Sequence, residues 1–324
     1  MAHVLVNDDT LYCVSAWNDN GFPGQGSDEA RFFRTTDFPG LGWMLRRDAW
    51  ERAHAKWPQF PTTGWDHWMR LPPTQGGREC IYPEVSRTHH IAKKGTNVNE
   101  QVQKKIYDRM LLASYAPRSF GNLTATLSRT AYDDASAREI SEAVLVQRYE
   151  EAFALANSLQ HQGKAFLVPY VRDQFKRIAE QNGLFGMPRG QHDGIMRAVI
   201  GGRTIFFADR YRAQLLPTDA RILPAPNISF IAAAQGRNCI ETCSSIGKVC
   251  DDKQQEFANN CETMASLFPC EAGCGHQMGA ELPAYVPDPS VATFQQCLIF
   301  TEGAASCKSA HKSTARACAC LPRR

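Results

Sequence analysis

Long apolar segments are missing from this 324-residue sequence. The longest apolar run, residues 228–234, is interrupted by Ser229 and is far shorter than the roughly 20 residues that a membrane-spanning helix needs. The first nine residues contain neither a basic stretch nor a long apolar core, so no secretory signal peptide is visible. Taken alone, these absences favour a cytosolic protein.

A dominant sign of charge is also missing, since the sequence contains 36 Lys and Arg residues and 33 Asp and Glu residues, which gives a net charge of +3. The basic residues form no blocks along the chain, so the sequence supports neither nucleic acid nor an anionic membrane surface as a partner. Hydrophobic residues make up 43% and charged residues 21%, which is typical of a soluble globular protein. The length allows one large domain or two ordinary ones.

Cysteine, in contrast, is abundant, and ten of the 12 cysteines lie between residues 239 and 320. Such a density is typical of a disulfide framework, which persists in an oxidising compartment. The N-glycosylation sequons at Asn122 and Asn227 favour the same environment. Because a luminal protein needs a targeting segment and none is visible, we expect the sequence to begin part-way into a longer protein.

The pattern of the remaining chain predicts a mixture of strands and helices. A buried strand over residues 11–17 leads into the turn sequence Asn-Asp-Asn-Gly at residues 18–21. Two β-prone runs on either side of a Gly-Gly pair predict a hairpin over residues 195–208. Residues 118–140 are polar and predict an irregular connection. Spacing and composition predict helices over residues 47–55, 99–114, 142–159 and 175–181.

Five sequence blocks occur in order near the start of the chain. They are Leu-Tyr-Cys-Val-Ser-Ala-Trp-Asn-Asp-Asn-Gly from residue 11, Phe-Pro-Gly-Leu-Gly-Trp from residue 38, Lys-Trp-Pro from residue 56, Trp-Asp-His-Trp-Met-Arg from residue 65 and Gly-Arg-Glu-Cys-Ile-Tyr-Pro-Glu-Val-Ser-Arg-Thr from residue 77. Together they closely resemble glycosyltransferase family 13, which includes N-acetylglucosaminyltransferase I and the protein O-mannose β1,2-N-acetylglucosaminyltransferase. The resemblance continues through the Gly-Gly hairpin and covers roughly residues 10–217.

The resemblance implies an inverting transfer of N-acetylglucosamine from UDP-N-acetylglucosamine to the 2-hydroxyl of an α-mannose. Inversion in one displacement needs a carboxylate that takes the hydroxyl proton. In the family this base is the Asp that follows Trp in the fourth block, which here is Asp66. Trp65 and Trp68 offer apolar faces to a sugar and exclude water, which makes a carboxylate more basic. Without the resemblance, Asp66 would be interpreted as a surface residue of a Trp-rich loop.

The resemblance also implies further site residues. Leu41 and Trp65 match family positions that contact the donor sugar, although Leu41 by itself would be an ordinary turn or core residue. Asn97 matches a position in a family loop that closes over the nucleotide, and a solvated loop is the alternative. Cys13 and Cys80 lie in blocks where the family carries a disulfide, so the resemblance implies that they are paired, with two buried free thiols as the alternative.

Mn²⁺ is the cofactor that the resemblance implies, but its protein ligand is expected outside this sequence. The family holds the metal through an acidic Glu-Asp-Asp motif upstream of the first block. The sequence Asn-Asp-Asp at residues 7–9 lies too close to the first strand to be that motif and is interpreted as the turn before it. The tandem His89-His90 has no third ligand at suitable spacing and is interpreted as a surface pair. We therefore predict no metal ligand in this chain and weak binding of a UDP-sugar.

The cysteine-rich tail is similar, more loosely, to the C-terminal domain of N-acetylglucosaminyltransferase V. A zinc module that uses Cys239/Cys243 and Cys270/Cys274 is the alternative to disulfides, but irregular spacing and an even count favour bridges. The number of cysteines leaves their connectivity open.

The fold that the resemblance implies is α/β, namely the C-terminal part of a GT-A-type nucleotide-sugar transferase domain followed by a small disulfide-rich domain. The expected segments are residues 1–115 as the acceptor-side part of the catalytic domain, residues 116–217 as the C-terminal family region with the hairpin, residues 218–235 as a linker and residues 236–324 as the cysteine-rich domain.

The leading hypothesis is therefore a β1,2-N-acetylglucosaminyltransferase of protein glycosylation in the Golgi lumen. Its donor would be UDP-N-acetylglucosamine and its acceptor a mannose-terminated glycoprotein, with the N-glycan core preferred over O-mannose. We expect a membrane contact only through an N-terminal anchor that this sequence lacks, as in a type II membrane protein. The alternative from another functional class is a catalytically inactive, truncated homologue that acts as a glycan-binding or scaffold protein.

Overall fold

The computed structural model describes residues 1–55, 57, 64–92, 94–95, 98–114, 120–156, 162–300 and 303–323. Internal packing divides the chain into two compact units, each built from two stretches of sequence. The first unit contains Met1–Arg52 and Gln75–Arg221, and the second contains Ala53–Thr74 and Ile222–Arg324. None of the helices within the described ranges combines the length and the apolar character that crossing a bilayer requires.

A four-stranded sheet opens the first unit. Its strands, in the spatial order β2-β4-β1-β3, are β1 (Leu11–Ser15), β2 (Phe32–Thr35), β3 (Trp43–Leu45) and β4 (Glu79–Pro83). The neighbours β1 and β4 are parallel, and the other two pairings are antiparallel. Both β1 and β4 are buried along their whole length, as expected of central strands covered on both faces. The strand predicted over residues 11–17 is confirmed, and it ends at Ser15.

The disulfide between Cys13 and Cys80 joins the two parallel strands of this sheet. Cys13 on β1 lies directly opposite Cys80 on β4 in the strand register, so the bridge crosses between adjacent strands in the core. Both residues are almost completely buried. The structure thus contains the pairing that the family resemblance implied.

A second four-stranded sheet of the first unit has the order β5-β6-β8-β7. Its strands are β5 (Val144–Leu145), β6 (Phe166–Tyr170), β7 (Ile195–Ile200) and β8 (Arg203–Asp209). The strands β7 and β8 form an antiparallel hairpin whose turn residues, Gly201 and Gly202, have φ angles of 59° and 75°. A two-residue turn of this kind needs positive φ at both positions, which glycine adopts without strain. The predicted hairpin is confirmed.

The helices of the first unit differ from the predicted ones in the middle of the chain. They are α1 (Ala2–Asn7), α2 (Arg47–His54), α5 (Glu100–Lys105), α6 (Leu123–Thr126), α7 (Arg129–Ser141), α8 (Tyr149–Ala156) and α9 (Arg172–Asn182), and α2 continues into the first residues of the second unit. Only α2 and α9 match predicted helices closely.

The irregular connection predicted over residues 118–140 is wrong, because α6 and most of α7 lie there. The Asn122 side chain accepts a hydrogen bond from the backbone N of Ala125 at 3.1 Å and so caps α6. The helix α7 is largely polar and only Ile140 is buried in it, which is why it shows no apolar stripe. The predicted helix over 142–159 starts later, since its first residues form β5, and the one over 99–114 ends at Lys105.

The second unit is built on a six-stranded sheet. Five of its strands have the order β10-β14-β12-β13-β11, and the sixth, β9, also pairs with β14. The strands are β9 (Ser229–Ala232), β10 (Lys248–Cys250), β11 (Cys274–Gln277), β12 (Ala284–Tyr285), β13 (Cys297–Phe300) and β14 (Ala315–Pro322). The helices are α3 (Trp65–Met69), α4 (Pro72–Gln75), α10 (Cys239–Ser245) and α11 (Cys261–Leu267), of which α4 ends in the first residue of the next stretch of the first unit.

Five disulfides cross-link the second unit. They join Cys239 to Cys318, Cys243 to Cys320, Cys250 to Cys307, Cys261 to Cys274 and Cys270 to Cys297. All 12 cysteines of the chain are therefore paired, which confirms the disulfide framework and makes the zinc alternative wrong. Several of these sulfurs fill the core themselves, as in small domains that have few large apolar residues to bury.

The predicted linker over residues 218–235 needs one correction. Its last part forms the strand β9, whose residues from Ser229 to Ala232 pair with β14 in the sheet of the second unit. The strand is held there because its backbone N–H and C=O groups find partners in an existing sheet edge. The other predicted segment boundaries stay predictions.

A buried arginine in β2 connects several elements of the first unit. The Arg34 side chain is completely buried, and its Nε donates to Glu79 Oε2 at 2.5 Å. Its Nη1 donates to Asp8 Oδ2 at 2.8 Å and to the carbonyl oxygen of Leu127 at 2.7 Å, while Nη2 donates to Thr10 Oγ1 at 2.7 Å. One guanidinium thus fixes β2, β4, the end of α1 and the end of α6 to one another.

Replacing this arginine should destabilise the first unit severely. In Arg34→Met, the buried carboxylate of Glu79 loses its closest cation, and removal of one partner of a buried pair costs about 3–5 kcal/mol. We expect a loss of that size in the free energy of unfolding, measured by urea denaturation with circular dichroism.

The matched control is Arg148→Met, which breaks a solvent-exposed pair with Glu151 and should cost less than about 1 kcal/mol. Equal losses for the two variants would show that Arg34 does not have the role proposed.

Candidate functional site

The loop that carries Leu41 is held against the end of β1. The Ser15 hydroxyl donates to the carbonyl oxygen of Leu41 at 2.8 Å, and the backbone N of Ala16 donates to the carbonyl oxygen of Gly42 at 3.0 Å. Leu41 itself is half-buried and packs at the edge of an apolar cluster that contains Trp17 and Phe22. Its backbone position is therefore set by β1, while part of its side chain remains accessible.

Gly42 is required at its position for two reasons. Its φ angle is 58°, in the left-handed region that disfavours other residues, and a Cβ there would lie 2.6 Å from Thr88 Cγ2. The glycine therefore allows the loop to pass close to the segment after β4. Phe38, fully buried at the start of the same loop, packs against Trp43 with ring centroids 5.6 Å apart.

Asp66 and Trp65 lie in the first turn of the short helix α3 in the second unit. The Asp66 side chain is 29% exposed, and its Oδ2 accepts a hydrogen bond from Arg70 Nη1 at 2.5 Å. Four residues separate the two, the spacing at which side chains of a helix face each other. The ion pair fixes the direction of the carboxylate.

Arg70 is a partner of Asp66 that the sequence reasoning missed. The signal was available, since an Asp and an Arg four positions apart on a helix are expected to pair. The prediction relied instead on Trp65 and Trp68, which lie in different surroundings in the structure. Trp65 is 41% exposed, whereas Trp68 packs at the edge of the core of the second unit and against Trp57, with ring centroids 5.1 Å apart.

The structure gives the following positions for the predicted site residues. Asn97 lies outside the described residues. Cys13 and Cys80 form the disulfide described above. Leu41 belongs to the first unit, whereas Trp65 and Asp66 lie on one helix of the second unit. The roles of Asp66, Leu41 and Trp65 in catalysis and donor binding stay predictions.

The acidic pair at residues 8–9 forms a turn before β1, as predicted. Asp8 Oδ1 accepts a hydrogen bond from the backbone N of Thr10 at 2.9 Å, and Asp9 pairs with Arg46. Burial alone would raise the pKa of Asp8, but its hydrogen bonds with Thr10 and Arg34 outweigh burial and hold that pKa below its usual value. The Asp8 carboxylate therefore stabilises the turn.

Three other side chains in the first unit could hold a metal ion. One donor atom each from Glu79, His192 and Asp193 lies within 4.8 Å of the others. His192 Nδ1 is 3.7 Å from Glu79 Oε1, and its Nε2 is 2.8 Å from Asp133 Oδ1. Imidazole nitrogen and carboxylate oxygen are suitable ligand types for a divalent ion such as Mn²⁺.

Comparison with known proteins identifies the relatives of this chain. A family model described as the GNT-I family matches residues 1–218. The chain is similar to the alpha-1,3-mannosyl-glycoprotein 2-beta-N-acetylglucosaminyltransferase of Arabidopsis thaliana, with 30% identity over 205 residues. The alignment covers 60% of this chain and 44% of the plant protein, so the chain spans less than half the length of that relative.

The charges around Glu79 do not fit a bound cation. Glu79 Oε2 already pairs with Arg34 at 2.5 Å, and its Oε1 lies 3.1 Å from Arg129 Nη1. A divalent ion at Glu79 would therefore lie close to two guanidinium groups, and the repulsion would be strong in this buried position. The donor atoms are close enough for a metal, but the local charge opposes it, so we derive no catalytic step through a metal at these residues.

We predict that the chain shows no Mn²⁺ binding that depends on His192. The reason is the pair of arginines that already neutralise Glu79. The measurement is a calorimetric titration of Mn²⁺ into the chain and into His192→Gln, which keeps a polar side chain of similar size. A saturable Mn²⁺ site in the unaltered chain that disappears in His192→Gln would contradict the prediction.

Proposed function

Because the chain belongs to the GNT-I family, we propose that it transfers N-acetylglucosamine from UDP-N-acetylglucosamine to the 2-hydroxyl of an α-mannose on a glycoprotein. The observation that carries the proposal is the family match over residues 1–218, which includes the helix with Asp66 and the loop with Leu41. The name of the plant relative, a mannosyl-glycoprotein 2-beta-N-acetylglucosaminyltransferase, supports the same reaction.

Asp66 is the general base of the proposed reaction. Its carboxylate takes the proton of the mannose 2-hydroxyl as the oxygen attacks the anomeric carbon of the donor, and the bond to the diphosphate breaks in the same displacement. Attack from the face opposite the leaving group inverts the anomeric configuration. Arg70, whose Nη1 lies 2.5 Å from Asp66 Oδ2, is proposed to hold the carboxylate in a fixed direction.

Trp65 and Leu41 are proposed to contact the donor sugar. The exposed part of Trp65 offers an aromatic face to the C–H groups of a pyranose ring. The half-buried Leu41 is held on a loop with a fixed backbone, and a rigid support is what substrate positioning requires. These two side chains provide apolar contact, whereas the Asp66 carboxylate takes the proton.

Mn²⁺ would neutralise the negative charge of the departing diphosphate when bound. Since the charges at Glu79 oppose a cation, its ligands are proposed to lie outside the described residues of this chain. We also propose that the protein acts in the Golgi lumen as a type II membrane protein, with the N-glycan core as the preferred acceptor and O-mannose as the alternative. Six disulfides and no free cysteine support an oxidising compartment.

Replacing the proposed base tests the function directly. We expect Asp66→Asn to lower kcat by about 10²–10⁴-fold, because the amide keeps the shape of the side chain but cannot accept the proton. The acceptor KM should change much less. Transfer is measured with UDP-N-acetylglucosamine, Mn²⁺ and a mannose-terminated glycopeptide.

The control is Asp219→Asn, the same chemical change at an exposed position, which should leave transfer unchanged. Near-normal kcat in Asp66→Asn would eliminate Asp66 as the base. If the unaltered chain binds the glycopeptide but transfers nothing, the transferase proposal for this chain fails in favour of a non-catalytic glycan-binding protein.

A further inference from the structure

A cavity of about 360 Å³ lies within the first unit. Its walls come from the start of β2, from α7 and from the β7–β8 hairpin, and none of Leu41, Trp65 and Asp66 lines it. Its volume falls in the range of about 300–1,000 Å³ that is usual for pockets that bind small molecules. The cavity is therefore large enough for one small ligand, and nothing in the proposed transfer reaction uses it.

Aromatic side chains form part of the cavity wall. Phe33 and Tyr82 lie with ring centroids 5.5 Å apart, and Tyr132 stands edge-on to His192 with centroids 4.9 Å apart. Burial raises the pKa of Tyr132 to about 12, so its hydroxyl remains a neutral donor and acceptor at physiological pH. These rings provide apolar surface together with polar groups at their edges.

Hydrogen-bond acceptors line another part of the cavity. They are the carboxylates of Asp133, Asp134, Glu139 and Asp193, of which the first three lie on α7. Three of the four have partners among the described residues, since Asp133 and Asp193 lie 2.8 Å and 3.9 Å from His192 Nε2 and Glu139 lies 3.7 Å from Arg31. A carboxylate has about four lone-pair sites, so each of these pairs leaves acceptor capacity for a ligand.

Two arginines provide donors close to the aromatic wall. The guanidinium carbons of Arg31 and Arg197 lie 5.0 Å and 5.6 Å from the centre of the Phe33 ring. Arg197 Nη2 donates to Thr204 Oγ1 at 3.0 Å, but its buried Nε has no hydrogen-bond partner among the described residues. Burial, and then the nearby charge of Arg31, lower the pKa of Arg197. Donors and acceptors therefore surround the same small volume.

We propose that this cavity is a second carbohydrate site, which binds one neutral hexose unit of a glycan. A sugar hydroxyl donates and accepts hydrogen bonds at once, so adjacent hydroxyls can satisfy the carboxylates of α7 and the arginines together. The C–H face of the pyranose can pack on the aromatic wall. The proposal rests on the first unit alone and does not depend on whether the chain transfers N-acetylglucosamine.

Anions and hydrocarbons fit the cavity less well than a neutral sugar does. An anion such as a phosphate group would have to approach the four carboxylates of the lining, which outnumber Arg31 and Arg197. A hydrocarbon would leave the charged groups without partners. A neutral polyol avoids both of these costs.

Direct binding measurements on the full chain test the proposal. Methyl α-mannoside, methyl β-glucoside and inorganic phosphate are titrated in turn, with saturation-transfer NMR and calorimetry as readouts. We expect a saturable site for at least one neutral hexoside, with a Kd on the order of 1 mM because a single sugar makes few contacts, and no site for phosphate.

Two variants locate the binding within the cavity. Ala137 lines the cavity on α7, and Ala137→Phe should fill it and abolish hexoside binding. Arg197→Met should weaken binding by about tenfold, as expected when a hydrogen bond to a charged group is lost. Thr130→Phe, at an exposed position of the same helix outside the lining, is the control for a bulky substitution and should bind normally.

Circular dichroism verifies that each variant is folded, and Arg197→Met decides the question if Ala137→Phe is not. Absence of hexoside binding by the unaltered chain would overturn the proposal. So would hexoside binding that Ala137→Phe and Arg197→Met leave intact, since the sugar would then bind outside the cavity. Phosphate binding that Arg197→Met removes would show that the cavity prefers an anion.

Discussion

The buried guanidinium of Arg34 is the interaction on which the first unit depends. A fully buried cation is tolerated only when its donors are satisfied and its charge is neutralised. Arg34 meets both conditions with two carboxylates, a hydroxyl and a carbonyl oxygen, and these groups come from separate elements. If one of these elements moved alone, a buried donor of Arg34 or one of the carboxylates would lose its partner. The sheet around Cys13 and Cys80 is therefore positioned by electrostatics as well as by apolar packing.

This constraint reaches the surfaces to which we attribute function. The strand β2, which carries Arg34, begins with residues that line the sugar-sized cavity and leads into the loop of Leu41. Glu79 begins β4, which continues to Tyr82 in the cavity wall. The same pairing explains why Glu79 is a poor metal ligand, since its charge is already used. A carboxylate that is close enough to other donor atoms to suggest a metal site can thus be part of a structural network.

The sequence predicted the elements whose signal is local. The Gly-Gly hairpin and the strand at residue 11 follow from short patterns, and the Cys13–Cys80 pairing follows from the family resemblance. The sequence did not predict α7, because this mostly polar helix has no apolar residues at helical spacing. It also did not predict β9 within the linker, because β9 is a strand only through its pairing with β14. It also did not reveal the cavity. Its walls come from elements that are far apart in the sequence, and no local pattern indicates that they meet.

The helix that carries Asp66 illustrates the same dependence on distant residues. Residues 53–74 lie within the family match, yet they pack with the cysteine-rich segment that follows that match. Leu71 is buried in a core with Met264 and Tyr285, and Trp68 packs at its edge. A five-residue helix cannot hold its conformation alone, so the disulfide-linked core supplies the support that a catalytic carboxylate requires. The cysteine-rich segment is on this view part of the architecture of the proposed site rather than an appendage, because Trp68 in the helix of Asp66 and Leu71 just after it pack on its core.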